Sequence, residues 1–274
     1  LIYLVIKIIK TENSKLWLLF GLVAGLGLQN KISVLFLLFG LGVGILLTPH
    51  RRWLRDKFLW LGAALAVLLF LPHIVWQMHH DWPTVEFMSF AATYKNVSLS
   101  PVQFFMEQIF NMNPVTVWIW FGGLVALLFH KNLQRYRLFA IAYIAIFIVL
   151  VIQNGKPYYL FPSYPVLFAG GAVVFGALFS RPYVRWLKPV TLFLLIVFGV
   201  FLAPMALPIL PVQQFLRYSS AIGFTPSAGE THKMGALPQH CADMHGLEEM
   251  VSEIAQIYHS LPDSEKVVAS IYVQ

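Results

Sequence analysis

Six runs free of Asp, Glu, Lys and Arg, at residues 32–48, 58–76, 114–129, 138–153, 158–179 and 189–210, constrain this chain more than any other feature. A helix that crosses a bilayer needs about 17–25 mostly apolar residues, because hydrocarbon leaves no water to satisfy its backbone. Runs of that length, repeated with short breaks, point to an all-α polytopic membrane protein. A seventh stretch, 16–30, is shorter and reads as the first arm of a tight hairpin with 32–48, so about seven spans are expected. Composition agrees: 11% of residues are charged, against about 25% in soluble domains.

The cations sort by loop. Lys7, Lys10 and Lys15, then Arg51, Arg52, Arg55 and Lys57, then Lys131, Arg135 and Arg137, then Arg181, Arg185 and Lys188 occupy alternate connections. The intervening connections hold only Lys31, Lys95 and Lys156. Cytoplasmic loops carry the excess of Lys and Arg. The first set is therefore expected inside, with Lys31, the 77–113 loop, the 154–165 corner and the tail after 210 outside. The net charge of +7 is thus a topological signal, and no nucleic-acid partner is expected.

The opening LIYLVIKIIK reads as the end of a helix already under way, and the closing KVVASIYVQ as a β-strand awaiting a partner, so the sequence is expected to be a fragment at both ends. The tail changes character. Leu247, Met250, Val251, Ile254, Ile257 and Tyr258 recur at helical spacing, Pro262 ends that helix, and 267–273 follows as a strand. The expected division is a transmembrane part, 1–211, and the start of a small extracytoplasmic α/β domain, 212–274. In the 77–113 loop, SPVQFFMEQIF reads as a short amphipathic helix lying along the interface, with Ser100 as cap and Pro101 in its first turn. The single Cys241 cannot form an internal disulfide.

No run carries an acid or base in its interior apart from His73 near an outer end. Ion-coupled carriers need such groups at mid-membrane, so chemistry at the outer interface is favoured over transport. Three outer groups stand out. Lys31, between Gln29–Asn30 and ISV, has no carboxylate nearby in sequence; it would seek a phosphate or else snorkel to water. Lys156, Tyr158 and Tyr159 lie in NGKPYYLFPSYP, where Pro157, Pro162 and Pro165 prevent a regular helical start and free backbone carbonyls, which membranes tolerate only against protein or a wet cavity. The alternative for the tyrosines is the ordinary aromatic belt. His79, His80, Asp81 and Glu86 form the third group, able to bind a divalent metal or shuttle protons, though at no standard zinc spacing. In the tail, His240, Cys241, Asp243 and His245 are also ligand-like, or else mark a solvated helix entrance.

Taken in order, GLGLQNKISVLFLLFG, LFLPHIVWQMHHDWPTVEF and GKPYYLFPSYPVLFAGGA resemble the bacterial polyprenyl-phosphate-dependent glycosyltransferases of family 39, the protein mannosyltransferase and aminoarabinose transferase group with the GT-C fold. The likeness runs over about residues 14–180. It implies a GT-C helical bundle in the bacterial inner membrane, which moves a sugar from a polyprenyl-phosphate donor to a lipid, glycan or protein acceptor on the outer face. It implies that Lys31 and Tyr159, with Tyr158 and Lys156 beside them, meet the donor phosphate, and that His80 lies near the site, where a divalent metal is the one cofactor suggested. The general base of the resembled family would precede residue 1, so a fragment without it is expected to be inactive. Two other readings remain: a lipid-linked saccharide flippase, which the uncharged spans disfavour, and a structural membrane subunit.

Overall fold

The computed structural model describes residues 1–223, 235 and 237–270. They are helical almost throughout, with no β-strand among the described residues, and they divide into two compact units, Leu1–Leu202 and Ala203–Gln274.

The first unit contains α1 (Ile2–Thr11), α2 (Leu16–Asn30), α3 (Val34–Leu46), α4 (Lys57–His79), α5 (Pro83–Phe90), α6 (Pro101–Asn111), α7 (Val117–Phe129), α8 (Arg137–Ile152), α9 (Tyr164–Phe179) and most of α10 (Leu187–Ala206). Its spans depart from seven straight crossings. Four helical segments, Lys57–His79, Lys131–Ile152, Pro157–Phe179 and Leu187–Ala206, are long and apolar enough to cross a bilayer. Two further apolar stretches are bent: α3 turns by 106° into a 3-10 segment at Pro49–Arg55, and α6 by 102° into Pro114–Phe129. At 15 residues α2 is about 22 Å long at 1.5 Å per residue, short of a core of about 30 Å. Polytopic membrane architecture therefore stands, with four full-length spanning helices among the described residues, or six if each bent pair counts as one.

Three pairings carry the packing: α2 with α4, α3 with α8, and α7 with α9. Lipid tails are as apolar as leucine, so helices in a bilayer associate through close backbone approach and small residues. Gly21 and Gly62 supply one such contact, where a Cβ on either would run into the other helix's backbone. Gly123 against Gly171 and Leu167 supplies another. The buried core runs from Val5 and Trp17 through Trp120, Leu138, Phe139 and Ile146 to Leu160, Tyr164 and Leu167.

Side-chain contacts separate the two ends of the bundle as the charge pattern does. At one end Arg52 meets Glu12 at 3.2 Å, and the His50 ring lies 2.7 Å from the Arg135 carbonyl, so three of the cation-rich connections gather there. At the other end the Lys31 hairpin meets Tyr158 and Tyr159, and the 96–98 segment meets Asn154.

The second unit holds α11 (Val212–Ala221), α12 (Gln239–Ala242), α13 (Leu247–Ser260) and α14 (Asp263–Lys266). The amphipathic helix expected around 247–258 is α13, and Leu261, just before Pro262, turns to extended backbone at its end. The expected strand at 267–273 does not form over its described part: Val267 and Val268 make a turn after α14, with Val267 still in helical backbone as its C-cap, and Asp263 and Lys266 of α14 meet in a 3.2 Å ion pair. Residues 271–273 lie outside the described residues.

Candidate functional site at the cation-poor end

Proline placement shapes the corner. Pro157 and Pro162 lack the N–H groups an α-helix would use, and residues 157–163 form a 3-10 helix before α9 begins at Tyr164. The freed Pro157 carbonyl accepts from Gln108 Nε2 at 3.3 Å, so the loosened backbone is satisfied by protein, as a membrane corner requires. Just before it, α8 ends in a Schellman motif: Asn154 is left-handed (φ 50°) and the Gly155 N–H donates to the Leu150 carbonyl at 2.8 Å. Asn154 then accepts from Asn96 Nδ2 on its carbonyl (2.9 Å) and from Ser98 on its side chain (3.0 Å).

The 77–113 segment is thus clamped onto the corner. Its second helix, α6, starts with a capping box, in which the Ser100 hydroxyl accepts from the Gln103 N–H at 3.3 Å and Gln103 Oε1 accepts from the Ser100 N–H at 2.9 Å. Ser100 and Pro101 play the parts expected of them. Gln108, 0% exposed, joins α6 to the bundle core. Its Oε1 accepts from Tyr164 at 3.0 Å, and the Tyr164 hydroxyl lies 3.1 Å from that of Tyr143. The donor order follows, with Tyr143 donating to Tyr164 and Tyr164 to Gln108.

Above this base sits the Lys31 group. The ammonium of Lys31 lies 5.1 Å from the Tyr158 ring centre and 5.7 Å from that of Tyr159. The two phenols touch edge to face at 4.6 Å, and Tyr159 stacks on Phe36 of α3 at 5.4 Å. Lys31 is exposed and forms no ion pair with a carboxylate among the described residues. Ring faces attract a cation without cancelling its charge, so the ammonium is positioned while its charge stays available. Lys156, partly buried, opens the same corner. The structure brings Lys31, Tyr158 and Tyr159 into one group.

His80 stands elsewhere. It closes α4, its Nδ1 lies 2.8 Å from the Trp76 carbonyl, and its ring stacks on Trp76 at 4.4 Å. Among the described residues no three His, Cys, Asp or Glu side chains gather to hold a metal ion, so His80 is placed in an aromatic stack and not in a ligand set. In the tail, Cys241 and His245 line a small apolar cavity with Phe215 and Met244; the His240 side chain lies outside the described ones.

Sequence reasoning missed the Gln108–Tyr164–Tyr143 chain. The available signal was a glutamine on the apolar side of an otherwise amphipathic helix, with phenylalanines at 104 and 105 preceding it.

No curated protein and no solved structure matches this chain. Residues 1–76 match the family of dolichyl-phosphate-mannose-protein mannosyltransferases, a stretch that carries α1 to most of α4, Lys31 included, and this similarity supports a membrane glycosyltransferase of the GT-C kind.

Proposed function

We propose that this protein moves a hexosyl or pentosyl group from a polyprenyl-phosphate-linked donor to a lipid, glycan or protein acceptor on the outer face of the bacterial inner membrane, with inversion at the anomeric carbon, and that Lys31, Tyr159, Tyr158 and Lys156 receive the donor phosphate. When the glycosyl bond breaks, negative charge grows on the departing phosphate oxygen. Groups fixed where that charge develops stabilise the transition state more than the ground state. Lys31 supplies a cation and the phenols supply O–H donors at the depth of the lipid headgroups. The donor's hydrocarbon tail lies along the apolar helices, and the headgroup reaches the corner where prolines interrupt the backbone. The observation that carries the reading is the ammonium held over two phenol rings without a carboxylate partner among the described residues.

The test uses the full-length protein in proteoliposomes with radiolabelled polyprenyl-phosphate sugar. Removing one preorganised donor at a developing oxyanion slows a reaction by about 10²-fold or more. Lys31→Ala is expected to lower transfer by that order while the protein still folds. Transfer at the wild-type rate in Lys31→Ala refutes the assignment.

A further inference from the structure

We infer that the turn at Asp81–Trp82 is a saccharide-binding edge, with the Trp82 indole taking the C–H face of a pyranose ring and the Asp81 carboxylate accepting from its hydroxyls. The inference rests on the donor reading above and assigns the acceptor to the carbohydrate class. Two consecutive non-glycine residues are left-handed there: Asp81 at φ 56° and Trp82 at φ 59°. The first is the ordinary consequence of a helix ending in a Schellman turn, with the Trp82 N–H donating to the Gln77 carbonyl at 2.9 Å. The second is not ordinary. Bulky side chains avoid this region, and a residue preceding proline is pushed toward extended backbone, yet Trp82 precedes Pro83 and has ψ 51°.

The turn is held by a buried polar group with no other evident task. Gln77, 3% exposed, accepts from the Thr84 N–H at 3.1 Å, donates to the Thr84 hydroxyl, and contacts His73 Nε2 at 3.2 Å. This bracing spans the strained pair and fixes its conformation. What it presents outward is an indole 46% exposed and an exposed carboxylate that makes no hydrogen bond or ion pair among the described residues. A rigid indole face gives apolar area at little entropic cost, and a carboxylate gives two acceptors for vicinal hydroxyls. That pair of chemistries suits a polyol ring and suits neither a lipid tail nor a phosphate.

Helices α2 and α4 run side by side in the same direction, and Gln29 Nε2 reaches the Leu69 carbonyl at 2.6 Å. From Leu69 to the end of α4 at His79 the helix rises about 15 Å. Measured along α4, the turn therefore stands beyond the level at which the Lys31 hairpin meets that helix.

Saturation-transfer difference NMR on the full-length protein, in a detergent without a sugar headgroup, tests this with cellotriose, chitotriose and mannotriose as probes. Transfer to ring protons of at least one trisaccharide is expected, falling at least fivefold in Trp82→Ala and in Asp81→Asn. It is expected to persist in Lys31→Ala, so loss of donor use in that variant and loss of saccharide binding at the turn are read separately. No transfer to any of the three, or transfer retained in both turn variants, overturns the inference. So does Trp82-dependent transfer to a Ser/Thr-rich peptide where the saccharides show none. Trp82→Phe covers a failure to fold: it keeps an aromatic face, so retained transfer upholds the edge and lost transfer in a normally melting protein refutes it.

Discussion

Replacing Gln108 by leucine isolates the joint between α6 and the corner. The two side chains are of similar size, so the substitution leaves little cavity and its effect is polar. In the native protein Gln108 satisfies the Pro157 carbonyl at 3.3 Å and accepts from Tyr164 at 3.0 Å, at a site with no exposed surface. Leucine leaves the carbonyl without that donor and the Tyr164 O–H without its acceptor. Orphaning one buried group costs about 1–3 kcal/mol; Tyr164 keeps its contact with Tyr143 at 3.1 Å, which places its share at the low end. The expected loss is about 2–4 kcal/mol, measured by denaturant titration in mixed micelles followed by tryptophan fluorescence. A double-mutant cycle with Tyr164→Phe is expected to give a coupling of about 1 kcal/mol. A loss below about 0.5 kcal/mol, or additivity of the two substitutions, refutes the claim that this chain anchors α6. Donor use is also expected to weaken, because the carbonyl being held belongs to the segment that carries Tyr158 and Tyr159.

Further outcomes follow from other contacts. Tyr159→Phe keeps the ring over which Lys31 sits and removes the hydroxyl, so turnover is expected to fall about 10²-fold, the lower end for one lost donor, while Tyr159→Leu also loosens the ammonium and raises KM; equal kinetics for the two variants would refute separate roles for ring and hydroxyl. Gly123→Ala pushes a methyl into the Leu167 carbonyl and the Gly171 backbone and is expected to cost about 1–3 kcal/mol in the same titration. Trp82→Gly relieves a left-handed tryptophan and is expected to stabilise by about 1 kcal/mol, read as a rise in melting temperature. Ser100→Ala removes the cap of α6, worth about 1 kcal/mol, and amides 102–104 are expected to exchange faster by about fivefold.

Much of the bundle was readable because its physics is local. Continuous apolar runs announce membrane helices, alternating loop charge divides the ends, and Ser100–Pro101 and the prolines of 157–165 act on their own backbone. The bends were not readable. Residues 32–48 look like one run, yet α3 ends at Leu46 and Pro49 starts a new direction, since hydropathy is blind to where a carbonyl finds its partner. The same holds for Gln108, whose partners lie 49 and 56 positions away. Lys31 was legible as an isolated cation, but the tyrosine rings it rests on come from a turn more than 120 residues later in the chain. His80 shows the limit from another side: histidine beside aspartate in sequence suggests shared ligation, and the sequence does not show that its ring lies flat against the tryptophan one helical turn earlier.

The contact between Gly21 and Gly62 bears on how the protein responds to its lipid. With no side chain interposed, the backbones of α2 and α4 are in close contact, so the short helix and its 23-residue neighbour are expected to tilt as one when bilayer thickness changes. The depth of the Lys31 hairpin then follows the inclination of the longer helix. Acyl chain length, acting through that inclination, becomes a control on where the cation sits relative to the headgroup plane.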